Sequence, residues 1–320
     1  MHWRLKGLVQ KCLSSLPNGR SLNDRLQRRF GGLRHPERNI VGKLEDWKLS
    51  LRYLRDCEFN VLGSTLFEIG TGWYPTLPIC FSLAGAKRIV TYDIVRHIDA
   101  DLTFRMIGAL ESHLDSIAKA CGAPADEIHD RYRELLQAKN IDALLKCARV
   151  DFCAPADARA TKLAPDSIDL VYSNSVMEHV PKDMIRDLMN EGRRVLRPGG
   201  LALHNVACND HYAHFDPRIS FVNYLQYTES QWRKWNNSLQ YQNRLRAPEF
   251  LDLATEVGFE IILKRTCVRP GTREALTNFD VASEFRRFSM EDLSITTIDF
   301  IARKPLSKMG RLAHEKCDSR

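Results

Sequence analysis

The sequence predicts a doubly wound α/β sheet, and three stretches carry that prediction. An apolar segment empties into Phe67-Glu68-Ile69-Gly70-Thr71-Gly72. A second, Arg88-Ile89-Val90-Thr91-Tyr92, ends on Asp93. A third, Val195-Leu196-Arg197-Pro198-Gly199-Gly200, turns into Leu201-Ala202-Leu203-His204-Asn205-Val206. A strand that empties into Gly-x-Gly is how such a sheet makes its nucleotide-binding turn. Gly70 can supply the angles of a tight turn, and Gly72 removes a Cβ that would hold a ligand off the main chain. Asp93, 21 residues past Gly72, stands where an acidic side chain can accept hydrogen bonds from both ribose hydroxyls. A lone Gly-x-Gly also makes ordinary loops. The ordered set of strand, acidic-x-Gly-x-Gly, strand and acidic terminus is far more specific.

The chain opens on a basic arm, residues 1–40. Nine Lys or Arg stand there against Asp24 and Glu37, a surplus of seven that equals the formal charge of the whole chain. Residues 41–320 therefore sum to zero, which argues against a nucleic-acid-binding body. Leu5, Leu8, Val9, Cys12, Leu13 and Leu16 fall on one helical stripe, closed by Pro17-Asn18-Gly19. With Trp3 and the flanking Arg4, Lys6 and Lys11, residues 1–16 suit a peripheral membrane contact. They suit better a helix docked on the domain with its basic face in solvent, and the Arg-rich, acid-poor start fits a transit peptide less well. The arm is expected to be dispensable for cofactor binding, so a chain lacking residues 1–36 should bind unchanged.

Residues 41–305 read as one enlarged catalytic domain. Between Asp93 and the next apolar strand, near Arg149-Val150-Asp151-Phe152, more than fifty residues intervene, far above a usual crossover. Within 97–148, Leu110, Leu114, Ile117 and Ala118 keep a helical period, as do Leu135, Ile141, Leu144 and Leu145. Two or three inserted helices are expected, covering one side of the site. Ser167 to Asn174 forms the next strand. Pro198 then stops a helix, and Gly199-Gly200 permit the reversal into the strand from Leu201. Residues 207–246, rich in His, Tyr, Trp, Asn and Arg, follow at the carboxyl edge of the sheet, where such folds place ligands. They are expected to form a lid on the acceptor side. A helix from Ala247 to Val257 and strands from Phe259 to Lys264 and Ser294 to Arg303 complete the domain, leaving 306–320 as a tail.

Composition sets outer bounds. With 44% hydrophobic residues a core is easily built, and no apolar run approaches the ~20 residues a membrane span needs. No signal-peptide core is visible. The nine cysteines are scattered without Cys-x-x-Cys pairs, which suggests reduced thiols in the cytoplasm and no structural zinc.

The first turn also chooses between cofactors. A dinucleotide fingerprint wants a third glycine where this chain has Pro75, preceded by Trp73 and Tyr74, and Glu68 would sit badly beside a diphosphate. An acid there suits a ligand carrying positive charge. On Glu68-x-Gly70-x-Gly72, the strand Ser167 to Asn174 and Leu196-x-Pro198-Gly199-Gly200, the chain resembles the class I S-adenosylmethionine-dependent methyltransferases of small-molecule type, over roughly residues 60–305. That resemblance implies a Rossmann-like, seven-stranded mixed sheet whose last strand is antiparallel, with S-adenosylmethionine as cofactor. It places Glu68 at the amino-acid end through the Gly70-Thr71-Gly72 turn, Asp93 on the ribose and Asp157 with Ala158 at the adenine edge, with Asn174 also among the cofactor-binding residues. The expected reaction is O-methylation of a small acidic or sugar-like metabolite. Alternatives are a protein or nucleic-acid methyltransferase, or a non-catalytic binding protein. An Asn/Asp-Pro-Pro-Tyr/Phe motif would have marked an amino-group enzyme, but Ser173-Asn174-Ser175-Val176 stands there instead.

Candidate acceptor-side residues are fewer. His179, in Met177-Glu178-His179-Val180, is similar to the Glu-His-Val segment of small-molecule methyltransferases, including quinone-pathway O-methyltransferases, and is the candidate base. In that subset a nearby acid helps hold a metal. Here Val176 and Met177 stand upstream, and no metal is expected. His211 and His214, in Asp210-His211-Tyr212-Ala213-His214-Phe215-Asp216, are candidates for acceptor binding and base respectively, with loop hydrogen bonding or metal ligation as the other readings. Arg244 and Arg246 could grip a carboxylate or phosphate, or form salt bridges to the inserted helices. Trp73, Tyr74, Tyr227, Trp232, Trp235 and Tyr241 fit a packed lid better than an aromatic pocket.

Overall fold

The computed structural model describes residues 2–30, 33 and 36–306; the tail expected from 306 on lies outside them except for Leu306. Strands β1 (Thr65–Ile69), β2 (Arg88–Tyr92), β3 (Val150–Cys153), β4 (Ile168–Asn174), β5 (Leu196–Ala207), β6 (Glu260–Cys267) and β7 (Thr297–Arg303) form one sheet in the order β3-β2-β1-β4-β5-β7-β6. Neighbours from β3 through β5 pair parallel, and β7 runs antiparallel to β5 and β6. The chain crosses from one half of the sheet to the other between β1 and β4, which makes the carboxyl ends of those strands the switch point where ligands bind.

Alternating side chains feed two cores. Leu66, Ile89, Leu170 and Leu201 pack on one face with α3 (Pro36–Asp56) and α4 (Thr76–Leu83). Phe67, Val90, Val171 and Ala202 pack on the other with helices over Lys182–Val195 and Ala247–Glu256. Both faces are covered, hence the near-continuous apolar strands. Helix α3 runs through the boundary expected at 40/41, because Ile40, Leu44, Trp47, Leu51 and Leu54 form a single buried stripe.

The insertion holds four α-helices among the described residues, α5 (Ala100–Leu110), α6 (Leu114–Cys121), α7 (Ala125–Leu136) and α8 (Ile141–Cys147). They do not cover the site. Met106, Leu110, Ile117, Ile128, Leu135 and Leu144 are buried in the α3–α4 core, so the apolar stripes are used up there and only the lead-in at His97 and Asp99 comes near the carboxyl ends.

The arm contains α1 (Trp3–Ser14) and α2 (Gly19–Phe30). Helix α1 docks on the domain, but through the face opposite its leucine stripe. Trp3 is buried among Tyr212, Tyr227, Trp232 and Trp235, with ring centroids 5.3–6.3 Å away. Lys6, Gly7 and Gln10 share that face, while Leu5, Leu8, Val9 and Leu16 stay 44–54% exposed. A large aromatic fitting an aromatic socket outweighs several aliphatics on the other side. The lid aromatics thus build a core, as their density predicts. No helix among the described residues is long and apolar enough to cross a membrane.

Candidate active site

The turn after β1 is fixed by its backbone. Gly70 and Gly72 take φ of 81° and 74°, the left-handed region in which a side chain is strained. A Cβ on Gly70 would stand 2.6 Å from Val176 Cγ2. Gly70 N–H donates to Tyr92 O at 2.8 Å. Asp93 accepts from Gly72 N–H at 2.9 Å through Oδ2 and from Val95 N–H at 3.0 Å through Oδ1. The acid at the end of β2 therefore ties down the glycine turn as well as lining the groove.

Glu68 is buried under this turn, where it accepts from the Thr91 hydroxyl at 2.7 Å. Burial pushes its carboxyl up to about 8, against the pull of that hydrogen bond and of Lys43. The cavity above it, about 440 Å³, is lined by Lys43, Glu68, Thr71, Asp93, Asn174 and His179 among others. A second hollow shares Gly70, Asp93, Val176 and His179 with it and reaches Asp157 and Ala158. Asp157 is clamped by Arg159 at 2.6–3.0 Å, which holds its carboxyl below the usual range. All eight residues expected around the cofactor border this continuous groove.

A further cavity of about 500 Å³ lies on the other side of Ser175, lined by Asp46, Asn205, Asn209, His211, His214 and Arg269 among others. Ser175 takes a left-handed φ of 55°, turning the chain out of β4 between the two spaces. His179 Nδ1 donates to Tyr241 O at 2.7 Å, which leaves Nε2 as the acceptor. His211 lies beside it, ring centroids 5.0 Å apart. Burial, with the His179, His214 and Lys6 charges, pushes His211 down to about 3. His214 is exposed at the rim, its ring 6.0 Å from that of His211.

Residues 122–204 match the model of a family described as a methyltransferase domain. The match spans 83 residues, from the end of α6 into β5, and ties that part of the chain to methyltransferases. Solved structures of similar fold include the phosphoethanolamine N-methyltransferase 2 of Haemonchus contortus, in complex with phosphomonomethylethanolamine and S-adenosylhomocysteine. It is 17% identical with a TM-score of 0.44, over 81% of this chain and 53% of that one, so the likeness spans about half the nematode enzyme. A geranyl diphosphate C-methyltransferase of Streptomyces coelicolor is 14% identical, TM-score 0.45, over 84% and 82% of the two chains. A methyltransferase of Mesorhizobium loti is 15% identical, TM-score 0.43, over 79% and 96%. No curated protein sequence matches.

Three expectations are corrected by packing. Arg244 and Arg246 do not reach either cavity. Arg244 is buried, donating to Tyr224 O at 3.1 Å, Tyr227 O at 2.6 Å and Glu229 at 2.8 Å. Arg246, wholly buried, donates to Cys208 O, the Tyr224 hydroxyl, Asp292 O, Leu293 O and Ile295 O. Neither pairs with the inserted helices; both satisfy carbonyls that would otherwise be buried unpaired. The arm is not separate from the cofactor groove either. Arg28 of α2 bridges Asp99 at 2.7 Å and lies 5.4 Å from the Trp73 ring centroid, and Leu33 lines the groove beside Trp73.

Sequence reasoning missed Lys43, whose Nζ donates to Asn174 Oδ1 at 2.8 Å, and Asp46, which accepts from Asn174 Nδ2 at 3.3 Å. The buried stripe of α3 was the available signal: its spacing puts residues 43 and 46 together on the flank that faces the carboxyl ends.

Proposed function

We propose that the chain is an S-adenosylmethionine-dependent methyltransferase acting on an oxygen of a small metabolite, sugar-like or acidic, held in the cavity beside Ser175. The lining supports this reading. Asn205, Asn209, Gln240 and Asp46 offer the mixed donors and acceptors that hydroxyl groups require, and Arg269 adds a cation. With Arg244 and Arg246 buried, the sugar-like option is favoured. In this reading Glu68 meets the cofactor's ammonium, Lys43 its carboxylate and Asp93 the ribose, and all three line the groove. When bound, S-adenosylmethionine supplies an electrophilic methyl, which passes to the acceptor oxygen as the carbon–sulfur bond breaks and its electron pair stays on sulfur. The chain's own work is alignment, plus removal of the oxygen's proton, for which His179 Nε2 is the candidate.

The test is transfer of labelled methyl into fractionated cell extract. Label should appear in the small-molecule fraction, and His179→Ala should slow transfer by about 10²–10⁴-fold while affinity for S-adenosylhomocysteine stays within about twofold. Label only in protein or nucleic acid would reject the reading.

Peripheral membrane contact through residues 1–16 is part of the same proposal. Leu5, Leu8, Val9 and Leu16 face solvent on a basic arm, a combination that binds anionic surfaces through apolar burial and charge. Full-length protein should sediment with anionic vesicles and release as salt rises. Leu5→Glu with Leu8→Glu should abolish sedimentation without lowering thermal stability. Undiminished sedimentation of that variant would remove the arm from any membrane role.

A further inference from the structure

Three donors from two distant segments converge where the cofactor groove meets the acceptor cavity. Glu178 and His179 follow β4, His211 follows β5, and one ligand-type atom of each lies within 4.8 Å of the other two. Glu178 is 1% exposed. Its Oε1 accepts from Ala207 N–H at 3.3 Å, whereas Oε2 is buried with no protein partner. A buried carboxylate oxygen without a donor is strongly disfavoured unless a proton or a cation meets it.

The imidazoles complete the arrangement. His179 gives its Nδ1–H to a backbone carbonyl, the outer-shell contact that orients a metal-bound histidine and leaves Nε2 free to ligate. His211 comes in from the loop after β5, its ring centroid 5.0 Å from that of His179. We propose that Glu178, His179 and His211 bind a divalent first-row cation, zinc or manganese in kind, with its open positions toward the acceptor cavity. Two imidazoles and one carboxylate suit such ions, whereas magnesium and calcium prefer all-oxygen shells. Donors at ~2.0–2.2 Å from an ion lie roughly 3–4 Å from one another, so side-chain rotation of about 1 Å closes the site.

The catalytic consequence rests on the proposed acceptor cavity; the ion binding does not. An acceptor hydroxyl in an open position would lose its proton more readily, the proton leaving to water and the lone pair remaining for the methyl. The ion would then do the work otherwise assigned to His179 as base.

The experiment is titration of chelator-stripped full-length protein with Mn²⁺, followed by electron paramagnetic resonance of the free ion, and with Co²⁺, followed by visible absorption. One ion per chain is expected, with a Co²⁺ spectrum free of thiolate charge transfer. His211→Ala and Glu178→Gln should each weaken binding by roughly tenfold or more, with unchanged circular dichroism. Absence of stoichiometric binding, wild-type affinity in both variants, or a thiolate band placing the ion on cysteines would each overturn the proposal. Ion binding by a protein that methylates no small molecule would uphold the site and reject only the acceptor assignment.

Discussion

Replacing Glu68 by glutamine is expected to weaken S-adenosylmethionine binding by about 1.5–3 kcal/mol, the worth of a hydrogen bond to a charged group, and to flatten its pH dependence. In the free protein burial holds the carboxyl up to about 8, so at lower pH it is protonated and must lose that proton to meet an ammonium. Wild-type affinity should therefore rise between about pH 6 and 7.5, by up to about tenfold per unit. The ligand's own amino group stays charged over most of that window. Calorimetry in buffers of different ionisation enthalpy should detect a proton released on binding. Glutamine has no proton to lose, so its curve should be level. A Glu68→Gln protein that keeps both the affinity and the slope would show that another group meets the cation.

Arg246→Ala is expected to destabilise the fold by about 3–5 kcal/mol, at the severe end for a single substitution. The guanidinium joins the start of the helix Ala247–Glu256 to Cys208 after β5 and to the carbonyls of Asp292, Leu293 and Ile295 before β7. Removing it leaves those acceptors buried without donors. Domains have only ~5–15 kcal/mol in total, so a lower urea midpoint and a poor soluble yield should follow. Arg246→Lys should recover only part of the loss, because an ammonium cannot span the same fork of acceptors. Affinity for S-adenosylhomocysteine in the folded fraction should be unchanged. A stable Arg246→Ala protein that has lost only turnover would instead return Arg246 to the acceptor site.

These two residues mark where sequence reading reaches and where it stops. The place of Glu68 was legible because it follows from a few adjacent residues: an apolar strand, a glycine turn and an acid at the next strand's end define a local geometry with little freedom. Arg246 was misread. Two arginines at alternate positions in a polar segment look like an anion grip, yet nothing nearby in sequence reveals that Arg246 serves carbonyls about forty to fifty residues away, or that Arg244 turns back on Tyr224, Tyr227 and Glu229. The insertion shows the same split: its helical periods were readable, but not which surface they would cover.

By itself the sequence determined the doubly wound sheet, the glycine turn, the acids at the ends of β1 and β2, the Pro-Gly-Gly reversal and the preference for a cationic cofactor over a dinucleotide. These depend on backbone angles and strand alternation, which are set within a few residues. Tertiary structure decided which face of α1 docks, that α2 and Leu33 close on the groove, that Lys43 of α3 joins the cofactor site, and that His211 meets Glu178 and His179. Those outcomes depend on which distant surfaces fit and which buried polar atoms still need partners, and side-chain packing settles both only once the whole chain is folded.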